Sequence, residues 1–383
     1  MLRTKTISLV LFLLVLFPAA CFSEGQRVQT LKIAALYNTT GGMSSIDGPG
    51  LDGVKLAAEM INQKGGLLRG RKVEIIAFDT KTDARLAAEA AREAVKMGVV
   101  AGVGYGDSTY VLAAAPVFQS AGIPFITSGA TLPDLPKVIG NHLFMAAFGD
   151  DAQAHAVADF AYKTLKARSV VVWTDSTMAF TSALSGYFKQ RFTARGGKIL
   201  DDEPFPSGKK DFSQLVERLK RTKPDAVFIA AIPDEAGLTV KQIRQKNIFM
   251  PILSGDGFDT DLILTIPGKE LADNIYFSTH VFRGEIRKEV VDFAAAYKRL
   301  HTKEPDNAFC ALGFDAMNLL ADAIERAGTI ERKALTSSIA STKGFRGVTG
   351  DISYGQPGKP PEKPVAVIGV MKGTYRTAEV WRP

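Results

Sequence analysis

Cysteine is scarce in this sequence. Its 383 residues include two cysteines, Cys21 and Cys310. Cys21 lies close to the amino terminus, so its removal with a leader peptide would leave Cys310 as a lone thiol and exclude a disulfide framework within one chain. The stretch around Cys310, "NAFCALGF", is apolar, which is typical of a cysteine that fills a small space in a core.

Histidine is also rare, and the common nucleotide-binding motifs are missing. No G-x-x-x-x-G-K-[ST] loop occurs, and the glycines of "GVGYGDS" alternate where a dinucleotide fingerprint requires G-x-G-x-x-G in the first βα turn. No histidine follows an aspartate at the Asp-x-x-His spacing, so "GDS" lacks the base of one class of serine esterases. The histidines are too far apart to indicate a metal site: His142, His155, His280 and His301. We expect no cofactor, no metal and no enzymatic activity.

Long hydrophobic runs are absent after the amino terminus. Residues 7–17 form an uncharged apolar run that follows Arg3 and Lys5 and precedes the small residues of "PAACFS". A run of about 11 residues is too short to cross a bilayer, so residues 1–23 are predicted to be a secretory signal peptide. "PAAC" also half matches a bacterial lipoprotein cleavage site, which leaves lipidation of Cys21 open. We expect an exported, periplasmic protein with a soluble mature chain.

Strong charge clustering is missing as well. The formal net charge is +7, but Lys and Arg are interspersed with acids, as in "RKVEI" and "VERLKRTK". A nucleic-acid-binding surface would need a basic stripe with interleaved aromatics. We therefore expect no nucleic-acid partner.

What the chain does contain is a repeated alternation of apolar strands with amphipathic helices. "LKIAALY", "KVEIIAF", "VVAGV" and "PFITS" are each separated by a helical pattern, and the alternation restarts with "SVVVWT", "GGKIL", "DAVFIAA" and "MPILSG". Such alternation predicts an α/β protein with two doubly wound parallel-sheet lobes. Two long helical patterns follow, and "VAVIGVMKGTYRTAEVW" predicts a carboxyl-terminal hairpin that turns at "KG".

With the catalytic and nucleotide-binding motifs excluded, the glycine-rich stretch 102–117 is a candidate binding site. Its glycines allow close approach of a ligand to the backbone, and Ser108 is placed to cap the helix that follows. A helix start of this kind can bind an anion, either a carboxylate or a phosphate. The alternative is that Ser108 caps its own helix and does nothing more. The next strand ends in "FITSGAT", and ligands of doubly wound sheets lie outside the carboxyl ends of strands.

At this point the sequence resembles the periplasmic solute-binding proteins of branched-chain amino acid and amide ABC transporters. The resemblance lies in "GLDGVKLAAEMINQKGGLLRGRKVEIIAFDTKTD", "APVFQSAGIPFITSGAT", "FPSGKKDFSQLVERLKRTKPDAVFIAA" and "GFRGVTGDISY". It implies the type I periplasmic binding fold, with lobes at residues 29–146 plus 279–349 and 147–278 plus 350–383, joined by a three-segment hinge. It also implies a permease and ATPases as partners, and a monomer.

The resemblance also implies which residues bind the solute. Ser108 and Thr131 would donate to its carboxylate, the carbonyl of Gly129 would accept from its ammonium, and Asp256 would pair with that ammonium. Phe180 would form an aromatic wall. Three alternatives stay open: Asp256 as a turn residue, Phe180 as a core residue and Asp234 as a helix cap. The full predicted set is Tyr105, Ser108, Gly129, Ala130, Thr131, Phe180, Asp234 and Asp256.

Two departures from the family pattern concern the pocket for the solute's side chain. The first cleft loop has "SSIDGPG", with Ile46 or Asp47 where relatives have an aromatic, and Thr181 replaces a glycine. The predicted function is capture of a small carboxylate-bearing solute, an amino acid or a related amide or acid, in the interlobe cleft by hinge closure for an ABC importer. A ligand-sensing domain for a signalling partner is the alternative, and an enzyme of the doubly wound class is the weaker one.

Overall fold

The computed structural model describes residues 30–281 and 284–383. The predicted signal peptide and Cys21 lie outside the described residues. Within these ranges no helix has both the length and the apolar character needed to cross a bilayer.

The first sheet has five strands, and every neighbouring pair in it is parallel. These strands are β1 (Leu31–Tyr37), β2 (Val73–Asp79), β3 (Ala101–Gly104), β4 (Phe125–Thr127) and β5 (Leu143–Met145). The helices between them are α1 (Ser44–Gln63), α2 (Ala84–Lys96), α3 (Ser108–Ala121) and the short α4 (Leu135–Ile139). The spatial order is β2-β1-β3-β4-β5, which is a doubly wound arrangement.

The second sheet has seven strands and is mixed. Its strands are β6 (Ser169–Asp175), β7 (Lys198–Phe205), β8 (Ala226–Ala230), β9 (Ile252–Ser254), β10 (Ile275–Thr279), β13 (Val365–Met371) and β14 (Thr374–Trp381). Its helices are α5 (Asp150–Lys163), α6 (Ala179–Ala194), α7 (Ser213–Thr222), α8 (Pro233–Gln245) and α9 (Leu262–Thr265). The order is β14-β13-β10-β9-β8-β6-β7, in which β13 and β14 are antiparallel.

The remaining elements lie between β10 and β13 in the chain. They are α10 (Lys288–His301), α11 (Ala308–Ala327), α12 (Arg332–Ala340) and a two-stranded ribbon of β11 (Phe345–Gly347) and β12 (Gly350–Ile352). Helix α11 packs along α1, so this segment belongs to the layer on the first sheet. We call the five-stranded sheet with its helices the first lobe and the seven-stranded sheet with its helices the second lobe.

Residue alternation on the strands explains why both sheets are covered on both faces. Leu31 and Ile33 of β1 pack against α1 and α11, whereas Ala34 and Leu36 pack against α2 and α3. Successive side chains of a strand point to opposite faces, so a strand that is apolar throughout must be buried on both. The α/β prediction is confirmed, although the second sheet is mixed and not purely parallel.

The carboxyl-terminal hairpin was predicted from its turn and is confirmed. β13 and β14 pair antiparallel across Lys372 and Gly373, which have φ values of 49° and 68°. Positive φ at both central residues is the requirement of a type I′ turn, which matches the twist of the strands it joins.

Glycines bring α1 and α11 close together. A Cβ on Gly53 would lie 1.9 Å from the carbonyl oxygen of Cys310, and a Cβ on Gly313 would lie 1.9 Å from that of Gly50. Only glycine fits at such a contact. Cys310 is buried there, as expected of a core cysteine.

The chain passes between the two sheets three times. It leaves the first sheet after Met145, returns after Thr279 and crosses again between β12 and β13. The ammonium of Lys363 donates to the carbonyl of Ala146, at 2.8 Å, and to Oγ1 of Thr349, at 2.5 Å, which ties the first and last crossings together. The exact lobe limits stay a proposal.

Candidate functional site

Helix α3 begins at Ser108, and the residue that caps it is Asp107. Oδ1 of Asp107 accepts from the amide of Thr109 at 2.7 Å. The expectation that Ser108 supplies the cap is therefore wrong: the carboxylate one residue earlier takes that role, because it reaches the amide of the second helical residue. Ser108 is the first residue of the helix, with its hydroxyl available for another contact.

The hydroxyl of Ser108 contacts the loop that follows β4. Oγ of Ser108 accepts from the amide of Leu132 at 3.1 Å, and the amide of Gly129 donates to the carbonyl of Tyr105 at 3.0 Å. The residue before Leu132 is Thr131. The two polar segments that sequence alone singled out, at the ends of β3 and β4, are thus adjacent in space.

The second lobe covers this junction in the structure. Nε2 of Gln153, on α5, lies 3.4 Å from Oγ1 of Thr131, and Oγ1 of Thr109 accepts from the amide of Ala179 at 3.2 Å. As a result Ser108 is 0% exposed and Thr131 is 1% exposed. The lobes are in contact across the crevice, as expected of a closed arrangement.

Asp256 lies directly opposite, in a single 3-10 turn (Asp256–Phe258) after β9. Its Oδ1 accepts from Nε2 of Gln153 at 3.2 Å, and its amide donates to Oε1 of Gln153 at 3.1 Å. Its Oδ2 lies 2.9 Å from Nε2 of His280. Asp256 is a buried, hydrogen-bonded carboxylate and not merely a turn former.

His280 is held among aromatic rings. Its ring stacks on Phe148 at a centroid separation of 3.9 Å, and Phe309 approaches it edge-on at 6.2 Å. Burial lowers the pKa of His280, although Asp256 acts in the opposite direction. The neutral ring is favoured in this environment, so Nε2–H donates to Asp256 and Nδ1 is left as an acceptor.

Phe180 belongs to the core of the second lobe and Phe309 to the core of the first lobe. Phe180 is 6% exposed in the second-lobe core, and a Cβ on Gly257 would lie 3.3 Å from its ring. A Cβ on Gly129 would lie 2.8 Å from the ring of Phe309. Each ring therefore packs against a glycine beside a predicted contact residue, and Phe180 is at once a core residue and a neighbour of Asp256.

Three predicted residues have side chains away from this cluster. The ring of Tyr105 packs between Tyr37 and Tyr110, so only its backbone takes part in the loop, and Ala130 is buried in the first-lobe core. Asp234 lies in the first turn of α8, with a side chain that is 43% exposed and 3.7 Å from the ammonium of Lys210.

The cap predicted for α8 and the first cleft loop also differ from expectation. Ile232, not Asp234, is the N-cap residue of α8. "SSIDGPG" belongs to α1, where Asp47 accepts from the amide and side chain of Asn38, both at 2.8 Å, and from the amide of Gly106 at 2.7 Å. Asp47 thus holds the glycine-rich loop in place through the amide of Gly106, and its buried carboxylate is already hydrogen-bonded within the protein.

Sequence reasoning missed several members of the cluster. Asp107 stood inside the quoted "GDS", and Asp150 and Gln153 stood in "FGDDAQ", but an aspartate before a helix usually indicates only a cap. His280 was considered only as a catalytic base or a metal ligand. The available signal was their place beside strand ends and crossings: Asp107 lies between β3 and α3, Asp150 and Gln153 lie in the first turn of α5 after the first crossing, and His280 follows β10 at the second crossing.

Comparison with known proteins agrees with this geometry. A family model described as periplasmic binding protein matches residues 30–374. The chain belongs to the periplasmic binding protein family. The family consists of solute-binding proteins, so the prediction that the chain is not an enzyme is confirmed, as is the resemblance to this family.

Two curated relatives cover most of the chain. The Leu/Ile/Val-binding protein BraC3 of Rhizobium johnstonii is 27% identical over 329 residues, which is 86% of this chain and 88% of that protein. The leucine-, isoleucine-, valine-, threonine-, and alanine-binding protein of Pseudomonas aeruginosa is 23% identical over 337 residues, 88% of each chain.

Solved structures show the same fold. The leucine binding protein LivK of Thermotoga maritima is 34% identical, with a TM-score of 0.87 and coverage of 92% of this chain and 99% of that one. LivJ of Streptococcus pneumoniae, in complex with isoleucine, is 29% identical, with a TM-score of 0.87 over 93% and 100% of the chains. A benzoate-bound solute-binding protein of R. palustris shares the fold at 19% identity, with a TM-score of 0.83 over 92% and 97%.

Proposed function

We propose that this protein is the extracytoplasmic solute-binding component of an ABC importer. It captures a small carboxylate-bearing solute of the amino acid class between its lobes. The single observation that carries this proposal is the contact between Ser108 and the loop at Leu132, covered from the second lobe by Gln153 and Asp256. The predicted leader peptide, the family and the leucine- and isoleucine-binding relatives support it.

The carboxylate of the solute would lie at the start of α3. Hydroxyl groups of Ser108 and Thr131 can each donate one hydrogen bond, and the first turn of α3 adds the positive end of a helix dipole. Three or four charge-assisted hydrogen bonds at about 1.5–3 kcal/mol each give a gross gain of roughly 5–12 kcal/mol. That range includes the roughly 8 kcal/mol of a micromolar complex.

Closure follows from the division of contacts between lobes. Ser108 and Thr131 belong to the first lobe, whereas Gln153 and Asp256 belong to the second. A solute that contacts both sets is bound more tightly in the closed form, and this difference in affinity shifts the population towards closure. The closed form is then the shape that a membrane permease recognises.

A ligand screen tests the proposal. Thermal unfolding is measured with amino acids, their amides, short-chain acids and aromatic acids, and hits are titrated by calorimetry. We expect at least one amino acid to raise the melting temperature, and the matching amino acid amide, which lacks the carboxylate, to have no effect. An amide that binds as tightly as its acid, or a screen in which no carboxylate binds, contradicts the proposal.

A further inference from the structure

Two carboxylate oxygens at the lobe interface have no hydrogen-bond partner among the described residues. They are Oδ2 of Asp107 and Oδ2 of Asp150. The two residues are 1% and 0% exposed, so neither oxygen is open to bulk solvent. Leaving a buried charged acceptor unpaired is costly. Their other oxygens are occupied, by the amide of Thr109 at 2.7 Å and by Nε2 of Gln153 at 2.9 Å.

These two aspartates adjoin the predicted carboxylate site. Asp107 immediately precedes Ser108, and the amide of Asp150 donates to the carbonyl of Thr131 at 2.7 Å. Both lie near enough to Asp256 for its charge to act on them. Burial raises the pKa of Asp107 to about 6, and the charges of Asp256 and Asp175 add to that rise, whereas hydrogen bonds donated by Thr109 oppose it. Burial likewise raises the pKa of Asp150 well above its usual range.

The described residues around this cluster offer little positive charge to offset it. Asp175 accepts from the hydroxyls of Thr177 and Ser207. Asp256 accepts from the amide of Gln153 and from the ring of His280, so no Lys or Arg is among these partners. His280 is the nearest base, but burial lowers its pKa, and its Nδ1 is a further buried atom without a partner. The closed lobes therefore bring together several acceptors that lack donors.

We propose that the solute carries, besides its carboxylate and α-ammonium, a second positively charged nitrogen that lies between Asp107 and Asp150 in the closed protein. This inference rests on the proposed function. The solute class is then a basic amino acid, such as ornithine, lysine or arginine. We take an organic cation because no group of three or more His, Cys, Asp or Glu side chains in the described ranges is placed to hold a metal ion.

The α-ammonium alone does not supply donors for the two unpaired carboxylate oxygens. Asp256, the residue expected to pair with it, already has both oxygens engaged, yet each oxygen can accept one more bond. The unpaired oxygens belong to Asp107 and Asp150. A second nitrogen with two or three N–H groups satisfies both and removes the repulsion that opposes closure.

The experiment compares ornithine with norleucine, which has a methyl group where ornithine has its ammonium. Calorimetric titrations use the full mature chain, wild type and Asp107→Asn. Asparagine keeps the oxygen that caps α3, so the helix start is preserved. The matched control is Asp83→Asn, because Asp83 caps α2 through the amides of Arg85 and Leu86 and its side chain is 43% exposed.

We expect ornithine, lysine or arginine to bind at least about tenfold more tightly than norleucine, the difference made by one charge-assisted hydrogen bond. Asp107→Asn should reduce that ratio to below about threefold, and Asp83→Asn should leave it unchanged. A thermal melt of each variant checks the fold.

The other outcomes overturn the inference in distinguishable ways. If norleucine or leucine binds and no basic amino acid binds more tightly, the second nitrogen is refuted while the proposed function stands. If Asp107→Asn weakens ornithine and norleucine equally, Asp107 has only a structural role. If no amino acid binds at all, the inference fails, and the proposed function fails with it when no other carboxylate in the screen binds.

Discussion

Gln153 and Asp256 exchange two hydrogen bonds, one from each residue to the other. Nε2 of Gln153 donates to Oδ1 of Asp256 at 3.2 Å, and the amide of Asp256 donates to Oε1 of Gln153 at 3.1 Å. Because Nε2 of Gln153 also lies within reach of Thr131 and Asp150, this glutamine joins the predicted solute contacts of the two lobes. We therefore propose that Gln153 couples solute contact on the first lobe to closure of the second lobe.

Replacement of this glutamine should weaken binding. In Gln153→Leu the buried amide of Asp256 and the hydroxyl of Ser278 lose their acceptor, and an unpaired buried group costs about 1–3 kcal/mol. We expect solute affinity to fall by about 10- to 100-fold in calorimetric titration. Gln153→Glu keeps the acceptor but adds a charge beside Asp150 and Asp256, so it should be at least as damaging. Wild-type affinity in both variants would exclude a role for Gln153 in closure.

The contact between α1 and α11 should be intolerant of a single methyl group. Gly53→Ala places a Cβ 1.9 Å from the carbonyl oxygen of Cys310, so the helices must separate. We expect a loss of about 3 kcal/mol or more in unfolding free energy, measured by denaturant titration.

Gly186→Ala is the matched control for that substitution. Gly186 lies inside α6 with no atom within 4 Å of an added Cβ, so alanine should be neutral or stabilise the helix by up to about 1 kcal/mol. Similar unfolding free energies for the two variants would contradict the close packing of α1 on α11.

Acid should destabilise the second lobe through Asp159. Burial alone would raise its pKa, but hydrogen bonds from Arg191, Arg195 and Lys163 outweigh burial and hold that pKa well below its usual range. A lowered folded-state pKa gives stability that is present above the unfolded value of about 3.9 and is lost as pH falls through the folded value.

Asp159→Asn tests this arrangement. The substitution leaves three cations facing a neutral amide, so we expect a loss of about 3 kcal/mol in unfolding free energy at pH 7. The difference between wild type and variant should shrink as pH drops from about 5 to 2. A difference that stays constant over that range in denaturant titrations would show that the carboxylate charge does not stabilise the fold.

Local apolar patterns were enough to place most strands and helices, but not the start of α1. Gly48, Pro49 and Gly50 predict a loop, yet they lie within this helix. The reason is tertiary: Asp47 is bonded to Asn38 and Gly106, and Gly50 lies against the ring of Tyr37. The short α4 and β5 were also missed, because segments of three to five residues carry too little periodicity.

The candidate site was predictable where its residues directly follow a predicted strand. Ser108 and Thr131 follow two neighbouring parallel strands, and topology alone brings such positions together. Gln153 and His280 were not predictable in this way, because they follow the first and second of the three crossings between the sheets. Their roles depend on closure of one lobe on the other, a relationship that no local pattern in the sequence encodes.

The most direct test of the account is a calorimetric titration of the Ser108→Ala, Thr131→Ala double variant with the best solute from the ligand screen. Loss of two hydrogen bonds to a carboxylate, each worth about 1.5–3 kcal/mol, predicts a fall in affinity of about 100-fold or more. The solute-free variant should still unfold cooperatively in a thermal melt, at a lower temperature because the amide of Leu132 loses its acceptor. An affinity equal to that of the wild type would show that the solute's carboxylate is not bound at the start of α3.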